Sequence, residues 1–343
     1  VFIEDAVEKK NLIQGNCIIT AKRSWSLLNT DQTPACYWIT SPDNAFIENR
    51  CGGSDRYGFW YDLQVHAIGP HANTNVCPEN ERVGEFRDNA AHSCGRYGFR
   101  IFHNMIPRKY PCKPIEYDPN NATDPWHKNP PITAHFDGFT GWKNGRNGAI
   151  STRIGDVRFH NFKVADNRLG GIEFCQTDYY GDNTTRVNNS LIIGRTNNTE
   201  QILDSSEPFG IIGPRTDNLR VDNCRFFNFD WKETAAISTC SHCWHDQETD
   251  SGGRTVRFNN MTFDSSVKRL INYAYPYKAI ILDEDGSITG KGPHSWATPY
   301  YKHHEHPECE HNETYYGGTI CDNRVQVRRV AIGGAKPASV LSM

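Results

Sequence analysis

The feature that most narrows what this chain can become is a repeat. Phe46-Ile47-Glu48-Asn49 leads on to Arg56-Tyr57-Gly58-Phe59, and forty residues later Phe86-Arg87-Asp88-Asn89 leads on to Arg96-Tyr97-Gly98-Phe99. The pattern continues more loosely from Phe159-His160-Asn161 to Gly170-Gly171-Ile172-Glu173-Phe174. It returns from Val221-Asp222-Asn223 to Ala235-Ala236-Ile237, and from Phe258-Asn259-Asn260 to Leu270-Ile271. Each unit reads as an apolar residue, an Asn at a sharp corner, a short second strand, and a Gly before a third. Asn tolerates left-handed backbone geometry, and stacked Asn side chains can hydrogen-bond from one unit to the next. One such unit cannot close a core, whereas stacked units bury a continuous one.

Between the corners lie short β-branched and aromatic runs, such as Cys17-Ile18-Ile19-Thr20, Tyr37-Trp38-Ile39-Thr40, Leu191-Ile192-Ile193 and Ala279-Ile280-Ile281-Leu282. These are strand signals, and no convincing amphipathic helix fits the 3.6-residue template. Propeller blades, the rival repeat, would need four alternating strands per unit and tight hairpin dipeptides, which are few here. The expected fold is all-β, a right-handed parallel β-helix forming one domain over 1–332, with 333–343 as a tail or linker. Two segments break the rhythm and are expected as long loops: 66–83, rich in His, Asn and Pro, and 107–148, rich in Pro and Gly. Long loops on a rigid scaffold are where recognition concentrates.

Composition agrees. Hydrophobic residues are 37% of the chain and mean hydropathy is −0.67, a thin core beneath a wet surface. Net charge is −3, which offers no overall basic character for a nucleic-acid partner. No run approaches the ~18 apolar residues of a membrane span. The chain opens on Val1 rather than Met. It is therefore read as an internal or processed segment, for which missing targeting signals say little.

Twelve cysteines are spread along the whole length: Cys17, Cys36, Cys51, Cys77, Cys94, Cys112, Cys175, Cys224, Cys240, Cys243, Cys309 and Cys321. An even, dispersed count suits an oxidising compartment, and all or nearly all are expected in disulfides. Cys77 and Cys112 are placed to pin the two long loops together, or each to a coil. Cys309 and Cys321 would close a loop, a bridge worth roughly 3 kcal/mol. N-glycosylation sequons at Asn121, Asn183, Asn188, Asn197, Asn260 and Asn312 point the same way.

From Trp38-Ile39-Thr40-Ser41-Pro42-Asp43-Asn44 and Gly58-Phe59-Trp60-Tyr61 onward, the sequence resembles the parallel β-helix region of the fibrocystin-L family. Val1-Phe2-Ile3-Glu4-Asp5, Val83-Gly84-Glu85-Phe86, Asn228-Phe229-Asp230, Asp283-Glu284-Asp285-Gly286-Ser287-Ile288-Thr289-Gly290 and the stretch from Cys309 through Gly317 to Cys321-Asp322 extend the match. The resemblance covers about 300 residues, weakest over 107–150. It implies a β-helix segment of a large extracellular or cell-surface glycoprotein, a ciliary one included. The wider family holds hyaluronidases that carry a G8 module, and no G8 module is found here. Cys17, Cys36, Cys51 and Cys94 are extra relative to the family pattern.

Asp283, Glu284 and Asp285 form the most enzyme-like cluster, since paired carboxylates can share acid–base work on a glycosidic bond. Asp283 and Asp285 are the catalytic candidates, of a polysaccharide hydrolase or lyase if the chain is an enzyme. Three acids at a strand end before Gly286 also make an ordinary turn, and that context favours the turn. Calcium is the hard cation such carboxylates suit, although no cofactor is required. Cys240-Ser241-His242-Cys243-Trp244-His245 is half of a zinc site without a matching half, so disulfides are preferred. His303, His304, His306 and His311 with Glu305, Glu308 and Glu310 read as a solvated loop. Trp60, Trp126, Trp142, Trp231, Trp244 and Trp296 could stack on sugar rings, though most are expected to pack. No nucleophilic triad or phosphate-cradling loop stands out.

The expected function is a non-catalytic structural or adhesive segment, part of a coat or filament. The alternatives are a depolymerase of a hyaluronan-like polysaccharide and a glycan-binding receptor module. The expected partners are flanking domains of the same protein or further copies covering the open coil ends, and glycans. Nucleic acid and membrane insertion are not expected.

Overall fold

A computed structural model describes residues 1–24, 32–114, 129–177, 185–197, 208–231, 234–239, 255–273, 279–300 and 306–326. Their regular structure is strand apart from 3-10 turns at Gly69–His71 and Pro78–Asn80. Strands from successive repeats fall into three sheets, and within each sheet neighbours come from successive turns of the chain. Sheet A begins with β1 (Phe2–Ile3), sheet B with β2 (Leu12–Gln14) and sheet C with β3 (Cys17–Ile19). The chain then returns to sheet A with Ala35–Ile39 and continues A, B, C, making eight full coils in all before Ile271–Tyr273 and Ile280–Asp283. Pairing within the coils is parallel throughout, for example Phe99↔Phe59 and Phe99↔Ala149 in sheet A. This is the parallel β-helix expected from the repeat.

Period-two alternation decides what points inward. In Val157–His160, Val157 and Phe159 are buried while Arg158 and His160 are not. The interior of the early coils is largely aromatic: Tyr37, Phe59 and Phe99 from sheet A, Phe46, Phe86 and Phe136 from sheet B, all fully or almost fully buried. Tyr37 stacks on Phe59 at 4.4 Å and Phe159 on Phe162 at 4.7 Å between ring centres. Later coils turn aliphatic, with Ile172, Val187, Ile192, Ile211, Leu219 and Val221. Each such side chain contributes about 1.5–3 kcal/mol by leaving water.

The corner between sheets B and C separates two tasks that the sequence reading gave to one Asn. The left-handed backbone falls on Gly15, Glu48, Asp88, Gly138, Asn161, Asn189, Asn223 and Asn260 in successive coils. The coil-to-coil ladder is built one residue later. Asn16 Nδ2 donates to Asn49 Oδ1 at 3.1 Å, and Asn49 Nδ2 donates to Asn89 Oδ1 at 3.1 Å. Beyond Asn89 the ladder position is Phe139, Phe162, Ser190, Cys224 and Met261. A second ladder, Asn144 to Asn167 at 2.9 Å, stands at the corner between sheets C and A.

Two expectations about extent are corrected. The long loop ends before 134, because Ala134–Asp137, Thr140–Trp142 and Asn147–Ile154 are a regular coil with its strands in all three sheets. The coil end near residue 283 is not bare. Ser295–Thr298, Gly318–Cys321 and Cys309–Asn312 continue sheet B as antiparallel strands. The outermost of these carries Glu310, His311 and Asn312, polar residues of the kind that blunt a sheet edge.

Candidate functional site

The acidic cluster begins where strand Ile280–Asp283 leaves sheet B. Asp283 is fully buried and faces the turn that follows it. Its Oδ1 accepts from the Gly286 amide at 3.0 Å. Its Oδ2 accepts from the amides of Ile288 at 2.9 Å and Thr289 at 2.8 Å, and from Thr289 Oγ1 at 3.0 Å. Burial raises the Asp283 carboxyl above its ordinary value, against these donors. Glu284 is held by Arg220 at 2.7 Å. Asp285 accepts from the Asn260 amide at 2.9 Å and from Ser287 Oγ at 2.7 Å. These bonds, with one from Asp283, outweigh burial and lower the Asp285 carboxyl. All three acids are thus engaged in shaping a turn and tying it to the preceding coil.

The long loops leave the coils at one corner, between sheets A and B. Disulfide Cys77–Cys112 joins them. Backbone bonds from Ile106 to Glu79 at 2.7 Å and from Arg108 to Asn80 at 2.9 Å lay one against the other. Lys9 reaches from the first coil to Glu81 at 2.6 Å, and His71 contacts Asp5 at 2.6 Å. The His71 imidazole is raised by its bond to Asp5. A groove of about 460 Å³ on this face is lined by Asn75, Glu81, Tyr110, Cys112 and Lys113.

The outer face of sheet A carries aromatic rings. Phe2 lies 5.0 Å from Trp38, Trp38 stacks on Trp60 at 4.6 Å, and Tyr57 stacks on Tyr97 at 5.8 Å. Trp38 Nε1 donates to Asp62 Oδ2 at 3.0 Å, and Arg100 lies 4.8 Å above the Tyr57 ring. Burial raises the Asp62 carboxyl. The sequence reading named Trp60 among its tryptophans but not this stack. The parallel register, which sequence spacing does not carry, is what pairs Trp38 with Trp60 in successive coils. Of the other tryptophans, Trp142 stacks on His92 and Trp231 is exposed beneath Arg195. Trp296 is buried, and Trp126 and Trp244 lie outside the described residues.

Disulfides Cys36–Cys51, Cys77–Cys112 and Cys309–Cys321 are present. The expectation of near-complete pairing is corrected at three positions. Cys17, Cys94 and Cys224 are thiols, the first exposed and the others buried. Burial pushes Cys94 up to about 11 and Cys224 up to about 12. Of the four cysteines that are extra to the family pattern, three are gathered together: Cys94 Sγ lies 3.8 Å from Cys51 Sγ, itself bridged to Cys36. Cys240 and Cys243 lie outside the described residues, as do Asn121, Asn183, His303, His304 and Glu305. Asn197 and Asn260 are exposed, whereas Asn188 and Asn312 are half-buried. Among the described residues no three His, Cys, Asp or Glu side chains converge as metal ligands, and no helix is long and apolar enough to cross a membrane.

Residues 1–99 match the family model described as CEMIP beta-helix. Over 99% of its length the chain is 29% identical to fibrocystin-L of Mus musculus and 28% identical to that of Homo sapiens. It spans 8% of each of those proteins. Cell surface hyaluronidase CEMIP2 of Homo sapiens is 26% identical over 57% of the chain, which covers 17% of that protein. The resemblance expected from the sequence is thus borne out along the whole chain. The three disulfides among the described residues fit an oxidising, extracytoplasmic setting.

Proposed function

We propose that this chain is a rigid, non-catalytic segment of a large cell-surface or secreted protein, contributing to a coat or filament. The observation that carries this reading is the fate of its most enzyme-like carboxylate. Asp283 is fully buried and satisfies two backbone amides through one oxygen and a third through the other. A group committed to a turn is not presented to a substrate. Around it, eight stacked coils, side-chain ladders at two corners and disulfide-joined loops supply stiffness. Flanking domains of the same protein, or further copies, are the proposed partners at the exposed Phe2 end of the coil stack.

The competing reading is depolymerisation of a hyaluronan-like polymer, suggested by the similarity to cell surface hyaluronidase CEMIP2. Purified chain is incubated with hyaluronan, with and without calcium, and the polymer is sized by chromatography with light scattering. An unchanged size distribution is expected. Shortened polymer, with shortening lost in Asp285→Asn, would make the chain an enzyme and end the scaffold reading.

A further inference from the structure

The corner that carries the chain from sheet C to sheet A holds a cationic strip. Arg56, Arg96 and Arg146 occupy the same position in three successive coils. The Arg96 amide donates to the Arg56 carbonyl at 2.9 Å, and the Arg146 amide to the Arg96 carbonyl at 2.7 Å. The coil before adds Arg23, whose amide donates to Asp55 Oδ2 at 3.0 Å. Arg168, exposed at the same corner, lies in the coil after. Arg146 is exposed, and Arg23, Arg56 and Arg96 are half-exposed.

Among the described residues none of Arg23, Arg56, Arg96, Arg146 and Arg168 has a side-chain ion pair, while Arg87, Arg158, Arg220 and Arg257 each have at least one. The one side-chain bond from the strip is Arg146 Nη1 to Tyr97 Oη at 3.3 Å. Burial and then the charges of Arg96 and Arg23 lower the Arg56 guanidinium, so the strip feels its own repulsion. Like charges one coil apart, about 4.8 Å, raise the free energy of the protein unless an anion lies among them.

The surroundings leave room for one. A groove of about 600 Å³ beside the strip is lined by Lys22, Arg23, Asp55, Ser93 and Gly95, with Asp55 its one acid. Its floor is backbone against backbone. A Cβ on Gly95 would stand 2.2 Å from the Asp55 carbonyl oxygen, and one on Gly145 would stand 2.3 Å from that of Gly95. At Gly95 and Gly145 no side chain rises beside the arginines, and Asp55 stands at the equivalent position one coil earlier. Tyr57 and Tyr97, next in the chain, set stacked rings alongside.

We propose that Arg23, Arg56, Arg96 and Arg146 form a binding strip for a linear sulfated polysaccharide lying along the coil axis. One sugar ring of such a chain advances about as far as one coil. A polymer with an anion on nearly every ring can therefore meet each arginine in turn. Hyaluronan, with one carboxylate per two sugars, meets only alternate ones. Guanidinium forks bind sulfate through paired hydrogen bonds, and the disulfides fit an extracellular setting where such polymers occur. The site goes beyond the scaffold reading and does not depend on it.

The test is binding of the whole chain to heparin across a salt series, with hyaluronan and duplex DNA as competitors. Wild type is expected to bind heparin with a steep salt dependence and to prefer it over both competitors. The combined change Arg56→Ala, Arg96→Ala, Arg146→Ala should raise Kd at least tenfold and flatten the log–log salt slope by about three, one per cation removed. Arg87→Ala, on sheet B and already paired with Glu85, should leave both unchanged. Far-UV circular dichroism checks folding. If the triple variant does not fold, Arg146→Ala alone should flatten the slope by about one. Wild-type affinity in the folded variant, an equal loss in Arg87→Ala, or tighter binding of hyaluronan or DNA would overturn the proposal.

Discussion

Asp283 shows how a residue that looks chemical becomes structural. Burying a carboxylate is costly, and here the cost is offset by three amides and a hydroxyl that would otherwise be unsatisfied themselves. Asp283→Ala strips partners from several buried donors at once and should destabilise the fold by about 3 kcal/mol. Asp285→Ala, at an exposed position, should cost much less, and urea denaturation of the two variants measures the difference. The buried thiols make a second prediction at this scale. With Cys94 pushed up to about 11 and Cys224 up to about 12, neither carries thiolate between pH 7 and 9. Both should resist iodoacetamide in the native protein and react only on unfolding. Cys17, exposed, should react in the native protein. Peptide mapping after labelling decides it. The same mapping reports glycans, expected at exposed Asn197 and Asn260 and absent from Asn188, whose Oδ1 is buried.

At the scale of the element, the unit is the corner. Asn49 accepts from the amide and side chain of Asn16 and donates to the Ile13 carbonyl and to Asn89. Asn49→Ala breaks the ladder on both sides and should cost about 2–3 kcal/mol, whereas Asn161→Gly, at a left-handed corner, should be nearly neutral. Thermal melts of both variants check this. The repeat was legible in the sequence because inward Phe and Tyr alternate with polar residues and because Gly and Asn mark corners. The division of labour within a corner was not legible. Glu48 and Asp88 take the left-handed backbone although the sequence offers Asn49 and Asn89 next to them. Buried Asn49 and Asn89 are worth more to the ladder than to the turn. The coil over 134–154 was hidden because Gly138, Gly141 and Gly148 make it read as loop. In the structure these glycines answer close backbone and side-chain approaches, such as that of Gly148 to the Gly171 carbonyl oxygen. The arginine strip was printed within the repeat itself, at Arg56 and Arg96. Only register, which sequence spacing does not carry, adds Arg146.

For the whole molecule, the account rests on one continuous stack. A solenoid is stabilised between neighbours, so a coil with a weak interface would let the stack open locally. Here aromatic residues dominate the early coils, aliphatic residues join Phe174, Phe226, Phe229 and Phe258 in the later ones, and sheet B closes on antiparallel strands bridged by Cys309–Cys321. Along the described coils the parallel pairing runs from Phe2 to Asp283, with a register shift in sheet A between Ile101 and Asn104. Amide hydrogen exchange followed by mass spectrometry tests that continuity directly. Strand amides of all three sheets should be protected together in every coil, from Ala35–Ile39 to Ile280–Asp283, with fast exchange confined to the loops. Rapid exchange across the strands of one or more central coils, such as Gly170–Thr177 with Thr185–Asn188, would divide the stack and contradict a rigid segment.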